Sequence, residues 1–483
     1  MTTVVPERAG LLIGGDEVDA ADGGSFPTYD PSTGEVIARV AAGGERDVDR
    51  AVRAAEAAFD AWWPATAPRE RAALLYRAAA LVRTRADELV ELDERTAGLP
   101  TRMAAGDVET AARYLEYYAG IADKLHGETI PLGADFVDYT EREPWGVCAV
   151  IPPFNVPLQL TARSVAPALA CGNAVVVKPA EQAPLPAIRL AQLIIEAGAP
   201  DGLINVVTGT GPQAGAALVA HPRVRHITFT GSLPTGQAIM RGAARQLTPV
   251  TLELGGKSPQ IAFEDADLDA LVAAVVATSL MTAGQVCSAG TRILAHREVA
   301  PELRGKLLDA VAQIKLGAAH DGPDMGPLIS RVQQERVLEA IDAAREDGAR
   351  VLSGGGIPGN APAGYFVEPT VLGDVTAQMR VAREEIFGPV VAFMEFSDEA
   401  EAIGIANDSE FGLVSGIWTE QLSRAHRVAR AVRTGQVFVN HYGAGGGIEL
   451  PFGGYRKSGI GRAKGLAALD EYLQTKNVCV KIE

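Results

Sequence analysis

The sequence predicts an α/β protein with two parallel-sheet units, and three observations predict it. Short β-rich runs alternate with helical patterns from residue 144 onward, most of the runs end in Gly or Pro, and the alternation resumes beyond residue 257. Strands that alternate with helices favour a parallel sheet covered on both faces. Such sheets gather ligands beyond the carboxyl ends of their strands. In the first unit those ends fall at "PPFN", "KPAE", "TGTG", "TGS" and "ELGG".

Taken in order, residues 8–40 read as short strands and turns, with a Pro-Ser-Thr-Gly turn in "YDPSTGEVIARV". Residues 46–124 form a helical block with apolar side chains at three- and four-residue spacing. Residues 126–143, alternating and polar, predict a hairpin. The runs "WGVCAVIPP", "NAVVVKPA", "LINVVTG", "HITFTG" and "VTLELGG" follow as strands, with helices at 159–171, 183–198, 211–221 and 234–246. The second unit, 257–455, has helices at 265–281, 301–314 and 330–348 and strands near "TRILAH", "PVVAFME", "GLVSGIWT" and "TGQVFVN". The tail "NVCVKIE" is a lone strand that needs a sheet edge elsewhere, either within the chain or in a second subunit.

Composition narrows the function. The 483 residues carry a net charge of −16, which repels phosphate backbones and anionic lipid, so neither nucleic acid nor a membrane surface is an expected partner. The longest apolar run, 268–281, is interrupted by Asp269 and too short to span a bilayer. "MTTVVPERAG" has no basic segment followed by an apolar one, so no secretion signal is expected. Four scattered cysteines form no CxxC pair; a metal site is not expected, and a reducing, cytoplasmic setting is.

Three residues could carry chemistry together. Asn155 lies in "IPPFNVP", where prolines stiffen the loop after a strand, and its amide could donate to a developing oxyanion. Taken singly, an Asn in a turn more often satisfies that turn. Glu253 ends the strand "VTLELGG", where burial would raise its pKa towards that of a general base. Cys287 lies in "TAGQVCSAGTR" among small residues, near an expected helix terminus whose N–H groups would favour the thiolate. An isolated free cysteine is more often a small core residue.

Over essentially its full length the chain resembles the aldehyde dehydrogenase superfamily. The resemblance rests on "IPPFNVP", "GNAVVVKPAEQAP", "GLINVVTGTG", "ITFTGS", "LELGGKSP", "GQVCSAGTR", "EEIFGPV" and "PFGGYRKSGIGR", in the family's order. It implies a Rossmann-like parallel-sheet cofactor domain (1–125 and 144–256), an α/β catalytic domain (257–455) and a small β oligomerisation element (126–143 and 456–483), within a homodimer or homotetramer. It implies Cys287 as nucleophile, Asn155 with the Cys287 N–H as oxyanion donors, and Glu253 as the base that hydrolyses a thioester; Gly284 and Gln285 would shape the Cys287 loop. Lys178 and Glu181 match residues that meet the adenosine ribose. Gly231, Ser232 and Gly236 stand at a helix start suited to pyrophosphate. Glu385 and Phe387 match residues beside the nicotinamide, whereas Glu384 reads as a surface charge. The carboxylate of Glu181 would repel a 2′-phosphate, so NAD is the expected cofactor and NADP the alternative.

Several positions depart from the family pattern. Thr282 stands where an Asn is frequent. Ser164 and Ala463 replace a Lys–Glu pair linked to proton removal, and a water chain through Ser164 is the expected substitute. Residues 444–447, all small, suggest an open entrance walled by Phe154, Met281 and Phe452 and suited to a bulky or aromatic aldehyde, unless the glycines only turn the chain. Arg163 replaces an aromatic; it could greet a substrate carboxylate, though a solvated or ion-paired helix Arg is the commoner outcome. The remaining alternatives are a CoA-acylating semialdehyde dehydrogenase, which the hydrolytic Glu253 opposes, and a silent dinucleotide-binding protein, which a complete set of catalytic roles opposes.

Overall fold

The architecture comes from a computed structural model that describes residues 4–359, 363–443 and 447–482. Two large sheets dominate it. In the first, the strands Val147–Ile151, Ala174–Val177, Ile204–Val206, Val224–Thr230 and Val250–Glu253 are mutually parallel. Their spatial order starts at 204–206 and runs through 174–177, 147–151 and 224–230 to 250–253. The order therefore reverses between Val147–Ile151 and Val224–Thr230, and a crevice opens at such a switch point. Antiparallel strands extend both edges: Gly459–Ile460 beside Leu252 and Glu253, and Leu11–Ile13 with Asp16–Val18 beside Val206.

These strands are β-branched and buried on both faces, as expected where helices cover both sides. The covering helix Pro157–Ala170 positions the site. Proline occupies its first position, where no N–H is needed, and every residue except Gln159 is buried. The Asp107 carboxylate accepts the Gln159 N–H at 3.2 Å, satisfying a first-turn donor that the helix itself cannot.

The second sheet has six parallel strands, in the order Thr370–Gly373, Val390–Phe396, Arg292–His296, Pro259–Ala262, Val414–Trp418 and Gln436–Val439, with Arg350–Ser353 antiparallel at one edge. The chain passes from Glu253, the last residue of a first-sheet strand, directly to Pro259 in the second sheet.

The segment 126–143 forms a short hairpin, with the Ile130 N–H donating to the Asp138 carbonyl and the Thr140 N–H to the Glu128 carbonyl. Thr129 bridges Tyr139, but the strand Phe136–Pro144 finds its main partner in the tail, with Leu473 opposite Pro144 and Lys481 opposite Phe136. The nine-residue tail strand thus adds the longer ladder on the other edge of the same strand. Among the described residues no helix is long and apolar enough to cross a membrane, and no group of three or more His, Cys, Asp or Glu is disposed to hold a metal ion.

Candidate active site

Cys287 lies in an irregular loop between the helix Leu268–Ser279 and the strand Arg292–His296. Two left-handed residues in succession, Ala283 (φ 51°) and Gly284 (φ 67°), shape that loop. A Cβ on Gly284 would overlap the Gly388 carbonyl, so only glycine lets the loop press onto the 385–388 segment. Phe387 in that segment is also left-handed (φ 55°), and strained non-glycine backbone of this kind concentrates at functional sites.

Asn155 reaches the Cys287 loop from the first sheet. Its Nδ2 donates to the Gln285 carbonyl at 2.7 Å, which leaves the amide's second N–H for another acceptor, while its Oδ1 is buried without a partner. The Gln285 side chain accepts the Ile329 N–H at 3.0 Å, and the Tyr442 hydroxyl donates to the Ser288 carbonyl at 2.7 Å. Cys287 is thus clamped on both sides by engaged carbonyls. Glu253 is almost wholly buried, and neither of its carboxylate oxygens has a hydrogen-bond partner.

The electrostatics follow from burial. Burial pushes the Glu253 carboxyl up to about 8, opposed chiefly by the Arg163 charge. It pushes the Cys287 thiol up to about 11, again against Arg163, with a smaller downward pull from the Ser288 N–H. The expected helix terminus beside Cys287 is not there: the preceding helix ends at Ser279, and the thiol gains no helix-end stabilisation. Glu385 is raised to about 7 by burial and accepts the Gly256 N–H at 3.2 Å. A Cβ on Gly255 would overlap its carboxylate.

The other predicted positions are reached by the same crevice rim. Lys178, buried, donates to the Glu181 carboxylate at 3.1 Å. Ser232 is the N-cap of the helix Leu233–Ala243, and its hydroxyl bonds Thr235 Oγ1 at 3.0 Å instead of capping a backbone N–H. The Gly231 N–H is already donated to the Glu253 carbonyl at 3.0 Å, so Gly231 offers bare backbone beside Phe229 and no donor. Gly236 packs against Leu254. Phe154 and Phe387 meet edge to face at 5.8 Å, Met281 is half-buried, and Glu384 is exposed.

Residues 18–478 match the aldehyde dehydrogenase family. The chain belongs to that family. It is an aldehyde-oxidising oxidoreductase. A Burkholderia cenocepacia protein provisionally described as an aldehyde dehydrogenase is 46% identical, with a TM-score of 0.97 over 98% of this chain and 100% of its own. The NAD+ complex of a Bacillus cereus aldehyde dehydrogenase is 42% identical, with a TM-score of 0.97 over 99% and 98%. The NAD+ complex of Staphylococcus aureus betaine aldehyde dehydrogenase is 36% identical, with a TM-score of 0.95 over 98% and 94%.

Two features of this aldehyde dehydrogenase depart from the sequence-based expectation. Among the described residues Arg163 is neither solvated nor ion-paired: it is 4% exposed and donates one hydrogen bond, from Nη2 to Thr230 Oγ1 at 2.7 Å. Phe452 is not a purely apolar wall, because the Arg163 guanidinium lies over its ring at 5.8 Å and the Lys464 ammonium at 5.3 Å. Ser164 is buried, with Tyr472 as a neighbour. Lys464 escaped the sequence reading, although its neighbour Ala463 had been singled out. Lys257, buried beside Glu385 and Arg292, escaped it too, and only its position after a Gly-Gly pair hinted at it. Residues 444–446 of the expected open entrance lie outside the described residues.

Proposed function

We propose that this enzyme oxidises a bulky or aromatic aldehyde to its carboxylic acid with NAD, through covalent attachment to Cys287 and hydrolysis driven by Glu253. The observation that carries the reading is the 2.7 Å bond from Asn155 to the Gln285 carbonyl, which ties the oxyanion donor of one sheet to the nucleophile loop of the other. Cys287 Sγ adds to the carbonyl carbon and gives a thiohemiacetal. The remaining Asn155 N–H and the Cys287 N–H donate to its oxygen, where negative charge develops. NAD, when bound, supplies the hydride acceptor. Glu253 then removes a proton from a water molecule that attacks the Cys287 thioester, and the acid leaves as the thiol re-forms.

The residues fit a dinucleotide. Lys178 and Glu181 form a polar pair suited to ribose hydroxyls, and Glu181 disfavours a 2′-phosphate. Ser232 leaves its helix N-terminus uncapped by a side chain, and Gly231 keeps the adjoining backbone bare. Glu385 and Phe387 would hold the nicotinamide end. The aldehyde's apolar body would meet Phe154, Met281 and Phe452. A homodimer or homotetramer in the cytoplasm is supported by Ile130, Leu132, Val137 and Val480, which are exposed on and beside the two-stranded ribbon, and by the absence of disulfides among the described residues.

An aldehyde panel, aliphatic and aromatic, assayed with NAD and with NADP tests the function, with and without CoA to identify the acyl acceptor. Acid formation independent of CoA and faster with NAD is expected. Full NADH production by Cys287→Ser would overturn the assignment.

A further inference from the structure

We propose that the aldehyde oxidised here bears an anionic oxygen group, and that Arg163, seconded by Lys464, receives that group beside Cys287. The inference rests on the aldehyde oxidation described above and specifies its substrate class.

Arg163 is held on the fully packed helix Pro157–Ala170, so its guanidinium is presented by a rigid element. A guanidinium carries five N–H donors. Among the described residues only one of them finds an acceptor, Thr230 Oγ1, and Nε is buried without any partner. No carboxylate of the described residues lies within ion-pair distance of Arg163, and it has fewer acceptors than the protein's other strongly buried arginines: Arg292 donates to the carbonyls of Lys257, Ile405 and Ala406, and Arg71 to those of Ala170 and Thr66. A buried charge with open donors is costly to keep, and it persists where a counter-charge arrives from outside.

The location says where that counter-charge would sit. The Arg163 guanidinium and the Lys464 ammonium both lie over the Phe452 ring, and Phe452 packs in the same apolar cluster as Cys287 and Tyr442. Two cations and an aromatic face therefore meet in the cluster that Cys287 packs against, and both cations act on Cys287 through space. A planar fork above a ring suits a carboxylate on an aromatic or conjugated body, taken up bidentately. A quaternary ammonium at the same place would be repelled. Glu253 is the competing partner within the protein, since Arg163 acts on it through space. Its oxygens make no hydrogen bond, however, so it does not occupy the open donors.

The experiment compares kcat/KM for benzaldehyde, 3-carboxybenzaldehyde, 4-hydroxybenzaldehyde at a pH that ionises it, and 4-(trimethylammonio)benzaldehyde, in wild type, Arg163→Leu and Lys464→Met. The readout is the ratio of each charged substrate to benzaldehyde, so that intrinsic aldehyde reactivity cancels between variants. Arg163→Leu is expected to lower the carboxylate ratio by about 30- to 100-fold, mainly through KM, and to raise the cationic ratio, as removal of a charge-assisted bidentate partner does. Lys464→Met is expected to lower the carboxylate ratio by about 3- to 10-fold as the less directional charge. A fall in the hydroxyaldehyde ratio alone would assign the site to phenolates. Since Arg163→Leu removes a packed helix residue, its melting is followed in parallel, and wild type is titrated with benzoate and benzamide as inhibitors. Benzoate is expected to compete with aldehyde at least tenfold more tightly than benzamide. Equal inhibition by the two, or ratios unchanged in both variants, would overturn the inference. So would an equal loss on every aldehyde with a displaced pH profile, which would make Arg163 a residue that only tunes Glu253. If wild type oxidised no aldehyde, or Cys287→Ser oxidised them all, the failure would instead lie with the oxidation itself.

Discussion

The two large sheets meet at one crevice but present opposite ends to it. The first offers carboxyl ends: Asn155 follows Val147–Ile151, Lys178 follows Ala174–Val177, Ser232 follows Val224–Thr230, and Glu253 ends its own strand. The second offers amino ends: Cys287 precedes Arg292–His296, and Glu385 and Phe387 precede Val390–Phe396. The cause is the passage from Glu253 to Pro259. A chain that leaves one parallel sheet at the site and enters the next without reversing must start its new strands where the old ones stopped. Ligand-binding loops at carboxyl ends follow from α/β topology in general. Amino-end loops do not, and here they are shaped by special backbone instead: Ala283, Gly284 and Phe387, all left-handed.

Removing the base of the first sheet should separate its work from that of the second. Glu253→Gln is expected to lower steady-state turnover by about 10³-fold while a stoichiometric burst of NADH persists, since Cys287 and Asn155 remain. Stopped-flow absorbance reads both phases. Loss of the burst together with turnover would mean that Glu253 also serves the thiol, and the division of labour between the sheets would fail.

The amino-end loops should be less forgiving of added atoms than the carboxyl-end loops. Gly284→Ala introduces a Cβ at φ 67° against the Gly388 carbonyl, and is expected to cost about 2–4 kcal/mol with a matching loss of activity. Gly211→Ala, on the first sheet's rim with open space around it, is expected to change stability by less than about 1 kcal/mol. Denaturant unfolding compares the two, and equal costs would remove the contrast.

Proton dependence sharpens it further. Glu253 must be ionised to act as base, so turnover should rise with pH through about 8 and fall away in acid. Its folded-state pKa lies above the unfolded one, so the buried carboxyl favours folding least at high pH: protein stability falls as pH rises from the usual carboxylate range towards about 8. Glu253→Gln should therefore melt higher than wild type at pH 8 and nearly with it at pH 4. Arg163 favours the charged forms of both Glu253 and Cys287, and Arg163→Leu should move the alkaline rise of turnover to higher pH.

How far the sequence disclosed this site depended on what kind of fact each residue expresses. Strand ends marked by Gly or Pro are local, so Asn155, Lys178 and Glu253 were legible as rim positions from alternation alone. The role proposed for Cys287 was legible only through the resemblance, because its clamps, Gln285 to Asn155 and Tyr442 to Ser288, join residues distant in the chain. Arg163 was misjudged for the same reason. One charge in a helical pattern reads as a solvated face, and its burial arises only when the sheet and the neighbouring helices enclose Pro157–Ala170. The short hairpin at 126–143 was legible as a local turn, but its pairing with the tail was not, because a turn-like sequence does not reveal that a distant strand offers a longer ladder.

The smallest effect bears on how each sheet starts its helices. In the second sheet, Asp267 caps Leu268–Ser279 by accepting the Ala270 N–H at 3.0 Å, and Asp267→Ala should cost about 1 kcal/mol, as lost N-caps do. In the first, the Ser232 hydroxyl bonds Thr235 and caps nothing, so Ser232→Ala should cost less than about 0.5 kcal/mol. No side chain caps the first N–H groups of that helix, and a bound anion would accept from them. If backbone rather than hydroxyl meets the pyrophosphate, NAD should raise the melting temperature of Ser232→Ala as much as that of wild type. A Ser232→Ala variant that folds normally but has lost its thermal response to NAD would show that the hydroxyl itself binds, and that the uncapped helix start is incidental.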